Sequence, residues 1–347
     1  MKTNTLILSL GEYFTSYLPD VKGLSRNSIR TYQYAFQLLF EFMNAKKGLP
    51  PEKVSFASLT NKIVMEYLSW LESERNCSIE TRNFRRAALS SFAKFAIKKG
   101  DGEALAFYSQ ISEVPRKKAP QNNYVKYFTK EEISILLSTP NEKTIIGRRD
   151  IVLMSVLYAS GARAQELCNL TVNDIYFGNE TNIRLFGKGS KARLVTLPEN
   201  CAILLKKYLE IRHLDYNSPQ DRLRSIFCSQ THEKMSVSCI EEIVKKHLIA
   251  AKKKHPLLFQ HGKYSPHSFR HSIAVHMLEC GESLVVIKAF LGHASITSTT
   301  IYASVTPELA NKYLRERGRP LESTASVIED NTNPIITALP FLNTKRT

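Results

Sequence analysis

The chain has 347 residues, of which 43% are hydrophobic, and carries a formal net charge of +16 from 48 Lys+Arg and 32 Asp+Glu. This length predicts two domains, and the hydrophobic content excludes a wholly disordered chain. The apolar runs are too short to span a membrane, the first residues lack a signal-peptide pattern, and the six cysteines form no closely spaced pair. We therefore expect a reduced, cytoplasmic protein without a membrane partner.

Positive charge is spread along the chain rather than collected in one tail. Both the first 120 residues and the remainder contain more lysine and arginine than aspartate and glutamate. A ligand with distributed negative charge that contacts both domains explains this pattern, so we expect nucleic acid as the partner. The alternative is a surface charge that serves solubility alone.

Three amphipathic helices are predicted in the first hundred residues. Apolar residues at spacings of three and four indicate helices at 28–43, 61–74 and 79–99. The third helix ends at a glycine-rich stop signal. Its second face is basic, which indicates either an ordinary solvated face or phosphate contact. The candidate DNA-binding residues on it are Arg82, Arg85 and Arg86.

Residues 114–123 are interpreted as an interdomain linker, because they contain two prolines and three consecutive cations without periodicity. Lys117 and Lys118 in this segment are further candidate DNA contacts. The predicted domains are then 1–113 and 124–320, followed by a flexible tail at 321–347.

The second domain is predicted to be mainly helical with a small antiparallel sheet, so the fold class is mixed α/β in two domains. Acidic residues after Thr129 indicate a helix start, and a helical stretch at 149–170 is interrupted at Ser160-Gly161. Residues 182–198 indicate a β-hairpin with a loop rich in turn-forming residues. Further helices are predicted at 201–211, 239–254, 266–279, 283–291 and 307–317.

A set of basic, histidine and tyrosine residues follows in order through this domain. Its members are Arg163, Lys188 at the hairpin tip, His267, Arg270 and His271 in an H-x-x-R-H motif, His293 in L-G-H, and Tyr302 nine residues later. Each element alone is a weak signal, but the ordered set behind a basic helical domain is specific. The set resembles that of the tyrosine recombinases, the integrase family that includes the Xer and phage-integrase proteins. The resemblance extends to about residue 319 and implies a SAM-like N-terminal helical bundle and a catalytic second domain.

The chemistry of these side chains suits attack on a phosphodiester. Guanidinium groups present a charged planar fork to the nonbridging oxygens, so Arg163 and Arg270 are the expected phosphate clamp. Tyr302 is the expected nucleophile, and its phenol requires help in losing its proton because its ordinary pKa is about 10. His267 suits that task, or a hydrogen bond to the phosphate.

The remaining candidates have more than one interpretation. His293 would donate to a nonbridging oxygen, and Lys188 would protonate the leaving 5′ oxygen, with Lys191 and Arg193 as rivals for that role. Glu166 is either half of an ordinary surface pair with Arg163 or, as the resemblance implies, a support of the site.

His271 is either a packed helix residue or a supporting member of the same site. Together with His267, Glu279 and His293 it also suggests a metal site. Arg270 between the two histidines argues against a divalent cation, so no metal is expected. Isolated acids such as Asp150, Asp174 and Glu210 have no context that supports a metal-dependent transposase triad.

The resemblance implies a DNA recombinase that forms a 3′-phosphotyrosyl link to double-stranded DNA without ATP, metal or another cofactor. It also implies four protomers on two recombination sites, with accessory recombinases as further candidate partners. Integration, excision or transposition of a mobile element is the expected task, and Xer-type dimer resolution is the alternative. A type IB topoisomerase and a non-catalytic DNA-binding regulator remain as other possibilities.

Overall fold

The computed structural model describes residues 4–118, 125–187, 191–260, 262–293, 295 and 298–305. The chain divides into two compact units, Met1–Asn122 and Asn123–Thr347. The expectations for Lys188, for a helix at 307–317 and for the tail at 321–347 concern residues outside these described ranges. Among the described helices, none combines the length and apolar character needed to cross a bilayer.

The N-terminal unit is a helical bundle, as predicted. Its elements are α1 (Thr5–Glu12), a π-helical continuation (Tyr13–Val21), α2 (Arg26–Lys47), α3 (Asn61–Ser73), α4 (Ile79–Lys98) and α5 (Gly102–Glu113). The three predicted helices are confirmed as α2, α3 and α4, and Ser25 caps α2 by accepting from the backbone N–H of Ser28. Side chains from α1 to α5 build one aromatic-rich core, in which the Phe92 ring lies within 5.7 Å of the rings of Tyr13, Phe36 and Phe56.

The helices α1 and α5 were not predicted, although the sequence contains their signals. Asp101 caps α5 through its carboxylate, and Ala104, Phe107 and Ile111 place a buried stripe on the core at helical spacing. The glycines on either side of Asp101 were interpreted only as the end of α4. In the structure they form the junction between α4 and α5, two helices that pack against each other.

The basic outer face predicted for α4 is wrong at Arg82 and Arg85, which are only 5% and 6% exposed. Arg82 donates to the Pro115 carbonyl at 2.9 Å, and Arg85 donates to the Thr31 carbonyl at 2.9 Å while its guanidinium lies 4.9 Å from the Tyr34 ring. The guanidinium groups of Arg82 and Arg85 therefore donate to carbonyls within the N-terminal unit, and they are not exposed for contact with a phosphate. The cause is long-range packing that charge periodicity does not reveal.

Arg86 also acts within the unit. Its Nε donates to the Val114 carbonyl at 2.6 Å and its Nη2 to the Ile111 carbonyl at 3.0 Å, so it satisfies carbonyls at the C-terminal end of α5. Val114 is fully buried in the same core, and Lys117 pairs with Glu72. Residues 114–118, assigned to the linker from the sequence, are therefore held on the N-terminal unit.

Arg86→Ala tests this structural role. We expect the free energy of unfolding to fall by about 1–3 kcal/mol, because the buried carbonyls at the end of α5 lose their donor. Chemical denaturation of the full chain measures it, and Arg116→Ala at an exposed arginine is the matched control. If the free energy of unfolding is unchanged and the salt dependence of DNA binding is weaker, Arg86 contacts a DNA phosphate and does not have this structural role.

The C-terminal unit is mainly helical and carries a small sheet, as predicted. Its helices are α6 (Lys130–Leu137), α7 (Ile145–Ser160), α8 (Ala164–Cys168), α9 (Glu199–Ile211), α10 (Val237–Lys254), α11 (Pro266–Glu279) and α12 (Leu284–Leu291), and a 3-10 turn follows at Thr300–Val305. The predicted hairpin is confirmed as β2 (Asn182–Phe186) and β3 (Ala192–Thr196), antiparallel with Ile183 opposite Val195. A short strand that was not predicted, β1 (Ile175–Tyr176), pairs with β2 on its other edge.

Two left-handed glycines end helices immediately before candidate site residues. Gly161 (φ +57°) ends α7, and a Cβ there would lie 2.8 Å from Cδ2 of Leu291. Gly292 (φ +64°) ends α12 beside the Arg193 side chain. Because L-residues rarely adopt this conformation, glycine is required at both turns. The first turn leads to Arg163 and the second to His293.

Candidate active site

An ionic bridge centred on Glu166 forms one side of the candidate site. Arg163 is the N-cap residue of α8, where its backbone N–H donates to Oε2 of Glu166 at 3.0 Å and its Nη1 donates to Oε1 at 2.7 Å. Arg193 on β3 donates to Oε2 at 2.8 Å. Burial acts to raise the pKa of Glu166, but Arg193 and Arg163 outweigh it and hold that pKa below its ordinary value. The carboxylate is therefore a charged anchor for both arginines.

Arg270 lies at the centre of the site and is 0% exposed. Its Nη1 donates to the Gly161 carbonyl and its Nη2 to the Leu291 carbonyl, both at 2.7 Å. Burial, followed by the positive charges of Arg163 and Arg193, lowers the pKa of Arg270 to about 10, so its guanidinium stays charged at neutral pH. This one side chain ties together the turns that end α7 and α12.

Two histidines lie in the same positive environment. His267, at the start of α11, is an exposed residue, yet desolvation of its imidazole and then the charges of Arg270 and Arg163 lower its pKa. His293 is half-buried, and its Nδ1 is 2.9 Å from Oγ1 of Thr299. Burial and then Arg270 lower the pKa of His293 to about 4. Both rings are therefore neutral at pH 7 and each keeps one N–H to donate.

Tyr302 is 1% exposed and packs among Val275, Ile287 and Leu291. Its hydroxyl lies 3.0 Å from Nδ1 of His271. Burial raises the pKa of Tyr302 to about 12, against the lowering effect of Arg270 and Arg163. The residue predicted as the nucleophile is thus protonated, and its hydrogen-bond partner is His271 rather than His267.

The structure brings six of the seven residues singled out by the motifs into one neighbourhood: Arg163, His267, Arg270, His271, His293 and Tyr302. Lys188 lies outside the described residues, but the loop that carries it begins at Gly187, whose N–H donates to the Lys191 carbonyl at 2.9 Å. A Cβ on Gly187 would lie 3.5 Å from Oε1 of Glu166 and 3.7 Å from Nη1 of Arg163. The hairpin loop therefore starts beside the ionic bridge.

The role of Arg193 was not anticipated, because it was considered only as a rival of Lys188. Its guanidinium is engaged by Glu166, and its Cδ lies 3.1 Å from the position of a Cβ on Gly292. The available signal was that Arg193 alternates with the apolar Val195 and Leu197, which places it on the inward face of the strand. Pairing it with Glu166, 27 residues away, requires the fold.

The residues considered for metal chemistry have other partners. Within the described ranges, no three His, Cys, Asp or Glu side chains lie close enough to hold a metal ion. Asp150 is fully buried and accepts hydrogen bonds from Arg149, Lys246 and His247. Asp174 accepts from Arg184 at 2.9 Å. Both acids are therefore engaged in ion pairs and hydrogen bonds within the C-terminal unit.

Charged arginines, neutral histidines and a buried tyrosine thus lie together in one cluster, and comparison with known proteins identifies the family of the chain. Residues 126–308 match the Phage integrase family, and residues 12–100 match the Phage integrase, N-terminal SAM-like domain. The chain is 27% identical to the putative integrase/recombinase y4rC of Sinorhizobium fredii, over 96% of each chain. It is 31% identical to the tyrosine recombinase XerA of Pyrococcus furiosus, over 91% of this chain and 95% of the relative.

Solved structures show the same fold. The XerH site-specific recombinase, in a post-cleavage complex with a palindromic difH substrate, matches with a TM-score of 0.67 and 20% identity over 90% of this chain and 97% of XerH. The Tn1549 transposon integrase, in complex with circular intermediate DNA, matches with a TM-score of 0.63 and 15% identity over 87% and 95% of the two chains. The protein is a site-specific recombinase that acts on DNA. It belongs to the phage integrase family of tyrosine recombinases.

Proposed function

We propose that this enzyme cuts and rejoins DNA strands through a 3′-phosphotyrosyl intermediate formed by Tyr302. The observation that carries the proposal is that the charges of Arg163 and Arg270 act on the Tyr302 hydroxyl, which hydrogen-bonds to Nδ1 of His271. His293 lies in the same positive environment and acts on His271. These groups supply positive charge and N–H donors where a phosphodiester gains negative charge on being attacked.

The scissile phosphate binds to the arginine cluster in this proposal. Nε of Arg270 and Nε of Arg193 are buried and have no hydrogen-bond partner among the described residues. Such unmet donors of charged groups are costly, and an anionic ligand with several acceptor oxygens offsets that cost. Arg163, which is about one-third exposed at its side chain, completes the clamp from the solvent side.

The histidines and the hairpin lysine complete the reaction. His267 and His293 are neutral at pH 7 and donate to the nonbridging oxygens. Lys188 protonates the departing 5′ oxygen, since its loop starts beside Arg163 and Glu166. The 5′ hydroxyl of a partner strand then attacks the phosphotyrosine and releases Tyr302, so the energy of the broken bond is retained in the intermediate.

Strand exchange requires two DNA duplexes, so the proposed partners are two recombination sites held by four copies of this chain, together with accessory recombinases. The predicted domains 1–113 and 124–320 both contact DNA in this proposal. Lys117 and Lys118, both exposed, remain proposed phosphate contacts. The proposed site of action is the cytoplasm, where the DNA substrate is reached.

The proposed biological task is integration, excision or transposition of a mobile element. Support comes from the relatives named integrase/recombinase and transposon integrase. Dimer resolution is the second candidate, supported by relatives named XerC, XerD and XerA.

Covalent trapping tests the chemistry. Overlapping duplexes from the flanks of the gene's own locus are nicked near each candidate position, so that the cleaved fragment diffuses away and rejoining is blocked. We expect a protein–DNA band that survives denaturant and marks the cleavage site. Tight, site-specific binding without such a band would contradict the proposal and favour a non-catalytic DNA-binding regulator. Relaxation of supercoiled plasmid lacking the site would favour a type IB topoisomerase.

A plasmid assay then separates the two tasks. One plasmid carries the trapped site as a direct repeat, and a second carries the gene between its native flanks. Excision of a circle from the native flanks supports the mobile-element role. Resolution of the direct repeat without excision from the native flanks supports dimer resolution and overturns the first choice.

A further inference from the structure

Helix α11 carries two partly buried histidine–tyrosine hydrogen bonds that differ in their surroundings. Nδ1 of His271 lies 3.0 Å from the Tyr302 hydroxyl, and Nδ1 of His276 lies 2.8 Å from the Tyr158 hydroxyl. The first pair lies among the residues of the active site. The second lies five residues further along the helix and contains no residue of the proposed machinery.

The Tyr302 hydroxyl requires an acceptor, because a buried phenol without one is destabilising. Nδ1 of His271 fills this role, with the imidazole proton on Nε2. The groups that face His271 are His267 and Arg270 on its own helix, His293 after α12, and Tyr302 in the 3-10 turn. Burial and then His267, Arg270 and His293 lower the pKa of His271 to about 4, so the Nδ1 lone pair is available at neutral pH.

We infer that His271 is the catalytic base that takes the proton of Tyr302 during cleavage, an assignment that rests on the proposed function. The Tyr302 oxygen forms a bond to phosphorus as its O–H bond breaks, and that proton passes to Nδ1 of His271. The bond from phosphorus to the 5′ oxygen breaks, and the leaving oxygen takes a proton from the ammonium of Lys188. In rejoining, the imidazolium of His271 returns its proton to the departing phenolate.

The location of His267 fits a different task. Its ring contacts the His271 ring edge-to-face with centroids 4.6 Å apart, and the charges acting on it come from Arg270 and Arg163. A neutral imidazole next to two guanidinium groups is placed to donate to a phosphate oxygen. His271 lies on the Tyr302 side of this histidine pair, with ring centroids 5.6 Å from the tyrosine.

The two pKa values also fix where the proton lies before DNA binds. With a tyrosine pKa of about 12 and a histidine pKa of about 4, the proton stays on the phenol in the free protein. Only as the oxygen bonds to phosphorus does its acidity rise enough for transfer to Nδ1. His271 therefore acts in the transition state and leaves the resting tyrosine protonated.

The test uses single-turnover cleavage of the trapped site with a 5′-bridging phosphorothiolate in place of the scissile ester. Sulfur leaves without being protonated, so the rate reports loss of the tyrosine proton and not the action of Lys188. The variants are His271→Asn, which keeps an acceptor oxygen near Nδ1, and His271→Phe, which keeps ring volume without an acceptor. His276→Asn is the matched control on the same helix. Thermal melting gives the folded fraction of each.

From about pH 6 to about pH 8.5 we expect a flat rate for the wild type and for His276→Asn. Both His271 variants should be slowed by about 10²-fold at neutral pH, and their log rate should rise by about one per pH unit, because only the phenolate fraction of Tyr302 then reacts. A flat profile in folded His271→Asn would overturn the inference and make His271 a positioning residue. Failure of the wild type itself to form an adduct would instead refute the proposed function, and the inference with it.

Discussion

Replacing Tyr302 with phenylalanine is expected to abolish the covalent protein–DNA adduct while leaving DNA affinity close to that of the wild type. The substitution removes the one oxygen that can bond to phosphorus in this proposal. The ring remains packed against Ile287 and Leu291, and among the described residues the hydroxyl loses its hydrogen bond to Nδ1 of His271. That loss changes the free energy of unfolding by about 0.5–1.5 kcal/mol, so the variant should stay folded.

The measurement is a denaturing gel of the nicked duplex with wild type and variant, paired with a binding isotherm under the same salt concentration. The control is Tyr158→Phe, which removes the hydroxyl of a tyrosine on α7 that also hydrogen-bonds to a histidine. This variant should form the adduct normally. Persistence of the adduct in Tyr302→Phe would identify another nucleophile. Loss of DNA binding would show that Tyr302 is structural.

The sequence predicted the members of the site better than their partners. Order and spacing singled out Arg163, Arg270 and Tyr302, which the structure brings into one neighbourhood. The three-residue spacing suggested an Arg163–Glu166 pair at the surface, and the structure contains the pair but buries Glu166. The bridge from Glu166 to Arg193 was not predictable, because its two ends lie on α8 and β3. Spacing alone also could not decide which histidine faces the tyrosine.

Most of the fold followed from local signals, and the errors arose where tertiary packing overrides them. Caps and apolar periodicity predicted α2 to α4 and most helices of the second unit, because each helix must bury one face. Arg82 and Arg85 have the local sequence pattern of surface residues. They are buried in the structure, where they donate hydrogen bonds to the carbonyls of Pro115 and Thr31. A pattern of charges shows that one face of a helix is basic, but it does not show whether another segment of the chain packs over that face.

Arg270 should be the most sensitive position after Tyr302, because it has two functions at once. Its guanidinium donates hydrogen bonds to the carbonyls of Gly161 and Leu291. Its charge also lowers the pKa of Tyr302 more than the charge of Arg163 does. Arg270→Lys keeps the charge, but a single ammonium cannot reproduce the planar fork that joins two turns and a phosphate. We expect single-turnover cleavage to fall by about 10²–10³-fold or more.

Arg270→Ala adds a stability cost to this catalytic loss. Two buried carbonyls lose their donors, each worth about 1–3 kcal/mol, and the turns before Arg163 and His293 are released from each other. Rates are therefore compared per folded molecule, with Arg149→Lys as the control, since Arg149 is a buried arginine that pairs with Asp150 outside the site.

The control separates destabilisation from catalysis. Arg149→Lys should lower the melting temperature and retain cleavage per folded molecule, whereas Arg270→Lys should lose cleavage even where it remains folded. If Arg270→Lys cleaves at the wild-type rate per folded molecule, the guanidinium only fastens the two turns. The phosphate clamp would then consist of Arg163 and Arg193 on either side of Glu166, and the buried anchor would be the carboxylate rather than Arg270.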